Sequence, residues 1–157
     1  MIPELKQFDD TIHDEDEYET PQELFDELCQ KYDIHPIVDV AANEFNSKCE
    51  GYLPDGLKQY WNDDAWCNPP HSKTEEFVKK AQQQWEEHNI NILMIVPANA
   101  ICAHFFDDIF DDNHAEYHRI SGRPTFLQNG KLTKNPSRNS YFTVIWRKRH
   151  ENQNPKT

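Results

Sequence analysis

Between Trp66 and Ser72 the chain reads Trp-Cys-Asn-Pro-Pro-His-Ser, and few stretches restrict a fold more. Pro69 and Pro70 each fix φ near about −65° and bring no backbone donor, so a strand arriving through Trp66-Cys67 must end there. The carbonyls of Asn68 and Pro69 then face outward without a strand partner, beside the Asn68 amide, whose oxygen also accepts. Acceptors gathered at the end of a buried strand suit a substrate that presents an –NH2 group. The His71 ring beside them suits stacking on a flat heterocycle. Beyond it, Ser72-Lys73-Thr74-Glu75 has the pattern of a capping box. It leads into a helix with Phe77, Val78, Ala81 and Trp85 on one face. Ile90–Pro97 is the clearest buried strand in the chain. Strand, turn, helix and strand in that order predict a right-handed parallel crossover.

Upstream, Thr20-Pro21-Gln22-Glu23 reads as a helix start: Thr20 as cap, Pro21 at the first helical position, Glu23 reaching back. Leu24, Phe25, Leu28 and Cys29 form the stripe that such a helix buries. Ile34–Ala42 reads as the first core strand, with Asp39 embedded among Ile37, Val38 and Val40. A carboxylate inside an apolar strand requires a partner. No glycine-rich nucleotide loop follows; Ala41-Ala42-Asn43 stands in its place. The stretch 43–64 is loop-rich, with a Pro54-Asp55-Gly56 turn signal. Trp61 and Trp66 read as core residues. Downstream, Ile101–Phe110 reads as a helix, and Glu116–Phe126 and Tyr141–Arg147 as strands. The Gln128–Arg138 loop between those strands contains Asn129-Gly130 and Asn135-Pro136 turn signals.

At 157 residues the chain fits one domain with one core, expected over residues 18–150. Residues 1–17 read as an acidic, disordered arm and 151–157 as a disordered tail. No apolar run approaches the ~20 residues that span a bilayer, and the first residues lack a signal-peptide pattern. The expectation is therefore an intracellular, cytoplasmic protein without a membrane partner. Cys29, Cys49, Cys67 and Cys102 include no C-x-x-C pair and read as free thiols. His114 and His118 share helical spacing, but nothing completes a ligand set, so no metal is expected.

The net charge of −12 disfavours a general phosphate binder, yet the charge is segregated. Acids run from Glu4 to Glu27 against Lys6 alone. Residues 117–150 carry Arg119, Arg123, Lys131, Lys134, Arg138, Arg147, Lys148 and Arg149 and no acid. Such asymmetry fits a nucleic acid on one face, and equally an acidic arm that pairs with the basic end.

Taken together, Tyr18-Glu19-Thr20-Pro21, Val38-Asp39-Val40-Ala41-Ala42, Asp55-Gly56-Leu57 with Trp61, Cys67–Ser72, and Gly122-Arg123 with Phe126 come in an order that resembles the phage-type DNA N-6-adenine methyltransferase (Dam) family. That family belongs to the amino-methyltransferases whose fourth motif reads (D/N/S)-P-P-(Y/F/W). The resemblance covers roughly residues 17–147, with one departure: the family usually has Tyr where this chain has His71. It implies an α/β, Rossmann-like methyltransferase fold with a mostly parallel sheet flanked by helices. Since the stretch 43–64 is too short for two further strand–helix units, the fold is expected in a trimmed version. It implies S-adenosylmethionine as cofactor, with Tyr18, Thr20, Pro21, Asp39, Ala41, Ala42, Asp64 and Asn68 as its contacts. Asn68, Pro69, Pro70 and His71 become the catalytic group. The substrate is then adenine in DNA, flipped from the duplex, with Arg123, Lys131, Lys134 and Arg138 as backbone contacts. A homodimer is one way for so small a domain to cover duplex DNA. Two other readings stay open: transfer to another planar amine or amide (an RNA base or a protein glutamine), and a catalytically degenerate protein that binds a partner through its acidic arm.

Overall fold

A computed structural model describes residues 18–122, 124–128, 131–132 and 140–150. The expected acidic arm and tail, and the expected contacts Arg123, Lys134 and Arg138, lie outside the described residues. Eight short strands are described: β1 (Val38–Asp39), β2 (Gly51–Tyr52), β3 (Ala65–Cys67), β4 (Ile92–Pro97), β5 (Glu116–Arg119), β6 (Leu127–Gln128), β7 (Lys131–Leu132) and β8 (Tyr141–Trp146). Six of them form one sheet in the order β2-β1-β3-β4-β8-β5, and β6 pairs with β7 apart from it. The neighbours from β2 to β4 are parallel, whereas β8 is antiparallel to both β4 and β5.

Helix α1 (Gln22–Tyr32) covers one face of the sheet and α2 (Thr74–His88) the other; α3 (Asp107–Asp111) is a single short turn. Alternation along β4 shows the two layers. Ile92, Met94 and Val96 share a core with Phe77, Val78, Ala81 and Trp85 of α2. Leu93 and Ile95 share the opposite core with Phe25, Leu28 and Cys29 of α1. All six residues of β4 are buried, as expected of a central strand covered on both faces. Each large apolar side chain so buried contributes about 1.5–3 kcal/mol before entropy is charged against it. This is the expected α/β, Rossmann-like arrangement, and it is trimmed: only the two-residue β2 separates β1 from β3 along the chain.

Several boundaries differ from expectation. The strand expected over 34–42 is paired only at Val38–Asp39, and the one expected over 116–126 only at Glu116–Arg119. The helix expected over 101–110 is one 3-10 turn over His104–Phe106 leading into α3, with another over Ala98–Ala100 before it. Neither expected capping box forms. Pro21 and Lys73 precede α1 and α2 without a side-chain cap, and a 3-10 turn over His71–Lys73 intervenes before α2. The expected loop after 127 contains the β6–β7 pair, joined across two residues.

Strand order fixes where a ligand can sit. From β1 the chain moves outward to β2, and from β3 it moves the other way to β4, so connectivity reverses between the adjacent strands β1 and β3. In open α/β sheets the crevice at the carboxyl ends of two such strands is the binding position. Asp39 ends β1 and Cys67 ends β3, which puts Asn68 at that crevice. Tyr141 faces Pro97 across the β4–β8 register, so the antiparallel β8 begins at the same edge.

Candidate active site

Asn68 is half-buried, and Pro69 after it is buried. The Asn68 Nδ2 donates to the Tyr18 carbonyl at 3.3 Å and to the Thr20 hydroxyl at 3.0 Å. A backbone carbonyl can only accept, so the nitrogen must be the atom facing Tyr18. Oδ1 therefore lies on the opposite edge of the amide, as an acceptor. Thr20 is buried because its hydroxyl serves Asn68 rather than the end of α1, which accounts for the missing cap. The segment is held in turn by Glu19, which exchanges two backbone hydrogen bonds of 2.7 Å with Leu127. Tyr18 also stacks on Phe126, with ring centroids 5.2 Å apart.

Asp39 is 3% exposed. Its two oxygens accept from the backbone N–H of Ala41 at 3.2 Å and of Lys48 at 3.0 Å. Burial raises its pKa to about 6, against the opposing pull of those two bonds and of the Lys48 charge. The partner that the sequence required is therefore the following loop, curled back over the end of β1. A second close approach fixes that loop. A Cβ on Gly56 would lie 1.9 Å from the Val40 carbonyl oxygen, so no other residue fits there. Trp61, fully buried, donates from Nε1 to the Gly56 carbonyl at 2.8 Å.

Two cavities follow the carboxyl edge. A narrow one of about 30 Å3 is bordered by Tyr18, Thr20, Asp39, Trp66 and Asn68. A wider one of about 290 Å3 is bordered by Val40, Ala42, Leu57, Pro70 and Phe77. Ala41 and Asn46 border both, so the two form one trough with a constriction. The narrow end offers a carboxylate and amide groups, and the wide end offers apolar walls interleaved with Asn43, Asp55 and Lys73. That donor set fits a cofactor with a cationic amino-acid end and a flat heterocycle, provided the Asn43–Lys48 chain moves outward to admit it. A third cavity of about 480 Å3 opens past His71 and is bordered by Thr74, Pro97 and Phe105. A fourth, of about 580 Å3, lies between α1 and the chain after β5 and touches neither Asn68 nor Asp39.

His71 is half-buried, and its Nε2 lies 2.8 Å from the Tyr141 hydroxyl. Of the residues singled out from sequence, the fold thus brings together Tyr18, Thr20, Asp39, Ala41 and Asn68 at one cavity, with Ala42 and Pro70 at the next. Pro21, at the start of α1, borders neither of these and lines instead the cavity between α1 and the chain after β5. Asp64 is not brought there. It precedes β3, at the amino end of the sheet, where its carboxylate accepts from the Asn91 backbone N–H and side-chain amide at 2.9 and 3.0 Å. Lys131 lies in β7, with only its backbone described. Sequence reasoning passed over Asn46 and Tyr141. Tyr141 carried no local signal, since its site partner is 70 positions away.

Burial raises the thiol of Cys29 to about 11 and that of Cys49 to about 12, so both are inert at neutral pH. His114 contacts Gln82, and His118 contacts Glu116. Among the described residues no group of three or more His, Cys, Asp or Glu could hold a metal ion. No described helix is long and apolar enough to cross a membrane.

The sequence model of the DNA N-6-adenine-methyltransferase (Dam) family matches residues 9–155. The chain belongs to the Dam family. A DNA N-6-adenine-methyltransferase of Escherichia phage T1 is 32% identical over 149 residues, which cover 83% of this chain and 61% of that protein. The Dam-family chain described here thus spans under two thirds of that relative's length. A solved METTL16 MTase domain aligns over 71% of this chain and 39% of that one, at 17% identity and a TM-score of 0.38. Within the Dam-family match fall both Asn68-Pro69-Pro70-His71 and the Asp39 loop, the two elements that meet at the switch between β1 and β3.

Proposed function

We propose that the chain transfers a methyl group from S-adenosylmethionine to the exocyclic 6-amino nitrogen of adenine in DNA. The observation that carries this reading is the orientation of Asn68. With Nδ2 committed to Tyr18 and Thr20, Oδ1 is presented as an acceptor beside the Pro69 carbonyl, at the rim of the trough. An aromatic amine is a poor nucleophile because its lone pair is delocalised into the ring. Accepting both of its N–H bonds draws the nitrogen toward tetrahedral geometry and aims the lone pair at the methyl donor. This is positioning and electrostatic stabilisation. When bound, the cofactor supplies an electrophilic methyl on a sulfonium.

The chain's own groups do the rest. Asp39 faces the narrow end of the trough, where the cationic amino-acid end is expected. Pro70 and Phe77 wall the wide end. The adenine, flipped from the duplex, enters past His71 into the cavity bordered by Pro97 and Phe105. The proton leaves the amine after transfer, when it is cationic and acidic, so no strong base is needed beforehand.

The test uses methyl-labelled S-adenosylmethionine and DNA lacking N6-methyladenine, followed by digestion to nucleosides. Label in N6-methyldeoxyadenosine is expected, with Asn68→Ala lowering transfer at least about 100-fold while cofactor affinity stays within a few-fold. Cofactor binding without label in DNA would overturn the substrate. Unchanged turnover in Asn68→Ala would overturn the mechanism.

A further inference from the structure

Four rings from four separate segments close a cycle at the rim of the site. Tyr18 lies face to face with Phe126 at 5.2 Å and 10°. Phe126 meets Tyr141 edge-on at 4.8 Å. Tyr141 meets His71 at 5.7 Å, and His71 returns edge-on to Tyr18 at 6.0 Å and 86°. Tyr141 and Phe126 are buried, and His71 is the member that borders the cavity shared with Pro97 and Phe105. One polar contact crosses the cycle, between the Tyr141 hydroxyl and the His71 Nε2 at 2.8 Å.

Each part of this arrangement limits the imidazole. The χ2 torsion of a histidine is broad and roughly two-fold, so packing alone leaves the ring plane loosely set. A phenol on the first residue of a six-residue strand is well anchored, with its backbone paired opposite Pro97. Burying a hydroxyl without a partner costs about 1–3 kcal/mol, so the pair is hard to separate. A phenol that donates to Nε2 leaves the neutral ring's proton on Nδ1, and one that accepts leaves it on Nε2; in either case the bond holds the ring plane.

We infer that Tyr141 is a positioning residue for His71: its hydroxyl fixes the plane of the imidazole that forms the stacking platform for the acceptor base. This rests on the proposed base-methylating function. Tyr141 touches neither cofactor nor base. It acts through His71, holding a small ring in the orientation that a larger aromatic side chain would keep by packing.

A double-mutant cycle and one spectroscopic readout test this. Tyr141→Phe removes a single oxygen and keeps the ring contacts with Phe126. It is expected to lower kcat roughly tenfold while the cofactor Kd stays within about twofold. In a His71→Phe background the same change is expected to cost less than about twofold, because the bond is already gone. Equal losses in both backgrounds would overturn the inference. Should Tyr141→Phe fold poorly, imidazole 15N spectra of the wild type decide the matter without it. A single His71 tautomer with Nε2 shifted as a hydrogen-bonded nitrogen supports the pair, and a signal set averaged between both tautomers, as in a solvent-exposed imidazole, overturns it. The spectra do not depend on turnover. A wild type that transfers no methyl to DNA therefore sinks the proposed function, while the His71 Nε2 signal still decides the role of Tyr141.

Discussion

At the scale of single residues, the site is built from side chains whose ordinary preferences have been redirected. Thr20 gives up a helix cap to accept from Asn68. Asp39 gives up solvent to accept from Ala41 and Lys48. The second choice has a thermodynamic signature. An ordinary Asp titrates near 3.8, and burial lifts Asp39 to about 6. The folded protein therefore binds this proton more tightly than the unfolded chain does. Between those two values the native state holds more protons, so the slope of stability against pH is negative. Stability is lost as pH rises from about 4 to about 6, and the penalty, on the order of 3 kcal/mol, is present in full above that. In urea unfolding across this range, wild type is expected to lose stability relative to Asp39→Asn as pH increases. A wild-type curve that runs parallel to the variant's would show that the carboxylate ionises as freely in the fold as outside it.

At the scale of elements, the parts most legible in the sequence were those carried by neighbours along the chain. The run from β3 through α2 to β4 announced itself by two prolines, an amphipathic stripe and an apolar strand, all within about one crossover unit. The capping boxes misled for a physical reason. A Ser or Thr hydroxyl caps a helix only when no better donor or acceptor reaches it, and Asn68 reaches Thr20 from 48 positions away. The strand expected over 34–42 shortened because the chain after Asp39 curls back over its own carboxylate. Gly56, in the turn after β2, packs against the start of that curl at Val40. Its sequence context gave a turn but not the contact with Val40, which exists only once the loop has folded onto β1. Adding a methyl there pushes against backbone, which cannot rotate away. Gly56→Ala is expected to cost about 1–3 kcal/mol in chemical denaturation. Gly51→Ala, whose nearest contact would be 3.4 Å, is expected to cost under about 1 kcal/mol. Equal effects at the two positions would mean that the loop yields and does not shape the trough.

At the scale of the whole molecule, the direction of each strand decides which charges lie at the edge of the proposed DNA site. Arg147 follows β8 and so lies at the amino edge of the parallel strands, opposite Asn68. There its guanidinium holds Glu116 at 3.1 Å and the Tyr32 carbonyl at 3.0 Å. Arg149 lies over the Trp85 ring at 4.4 Å and donates to the Trp85 carbonyl. Both are committed to the fold, so the basic end read from sequence is not one binding surface. Arg119 ends β5 opposite Phe142, at the same edge as Tyr141, and is exposed. The chain leaving Arg119 returns at Ser140 to that edge, and between them it carries Arg123, Lys131, Lys134 and Arg138. We propose these five cations as the phosphate contacts, against a net charge of −12. Each contact to duplex DNA contributes roughly −0.9 to the slope of log K against log salt. Five such contacts give an expected slope of about −4.5. Arg119→Ala should reduce its magnitude by about one unit. Arg147→Ala should lower stability and leave the slope unchanged. Fluorescence anisotropy with labelled duplex over a salt series measures all three. A slope that falls with Arg147→Ala would place DNA at the amino edge, away from Asn68, and the proposed acceptor geometry would fall with it.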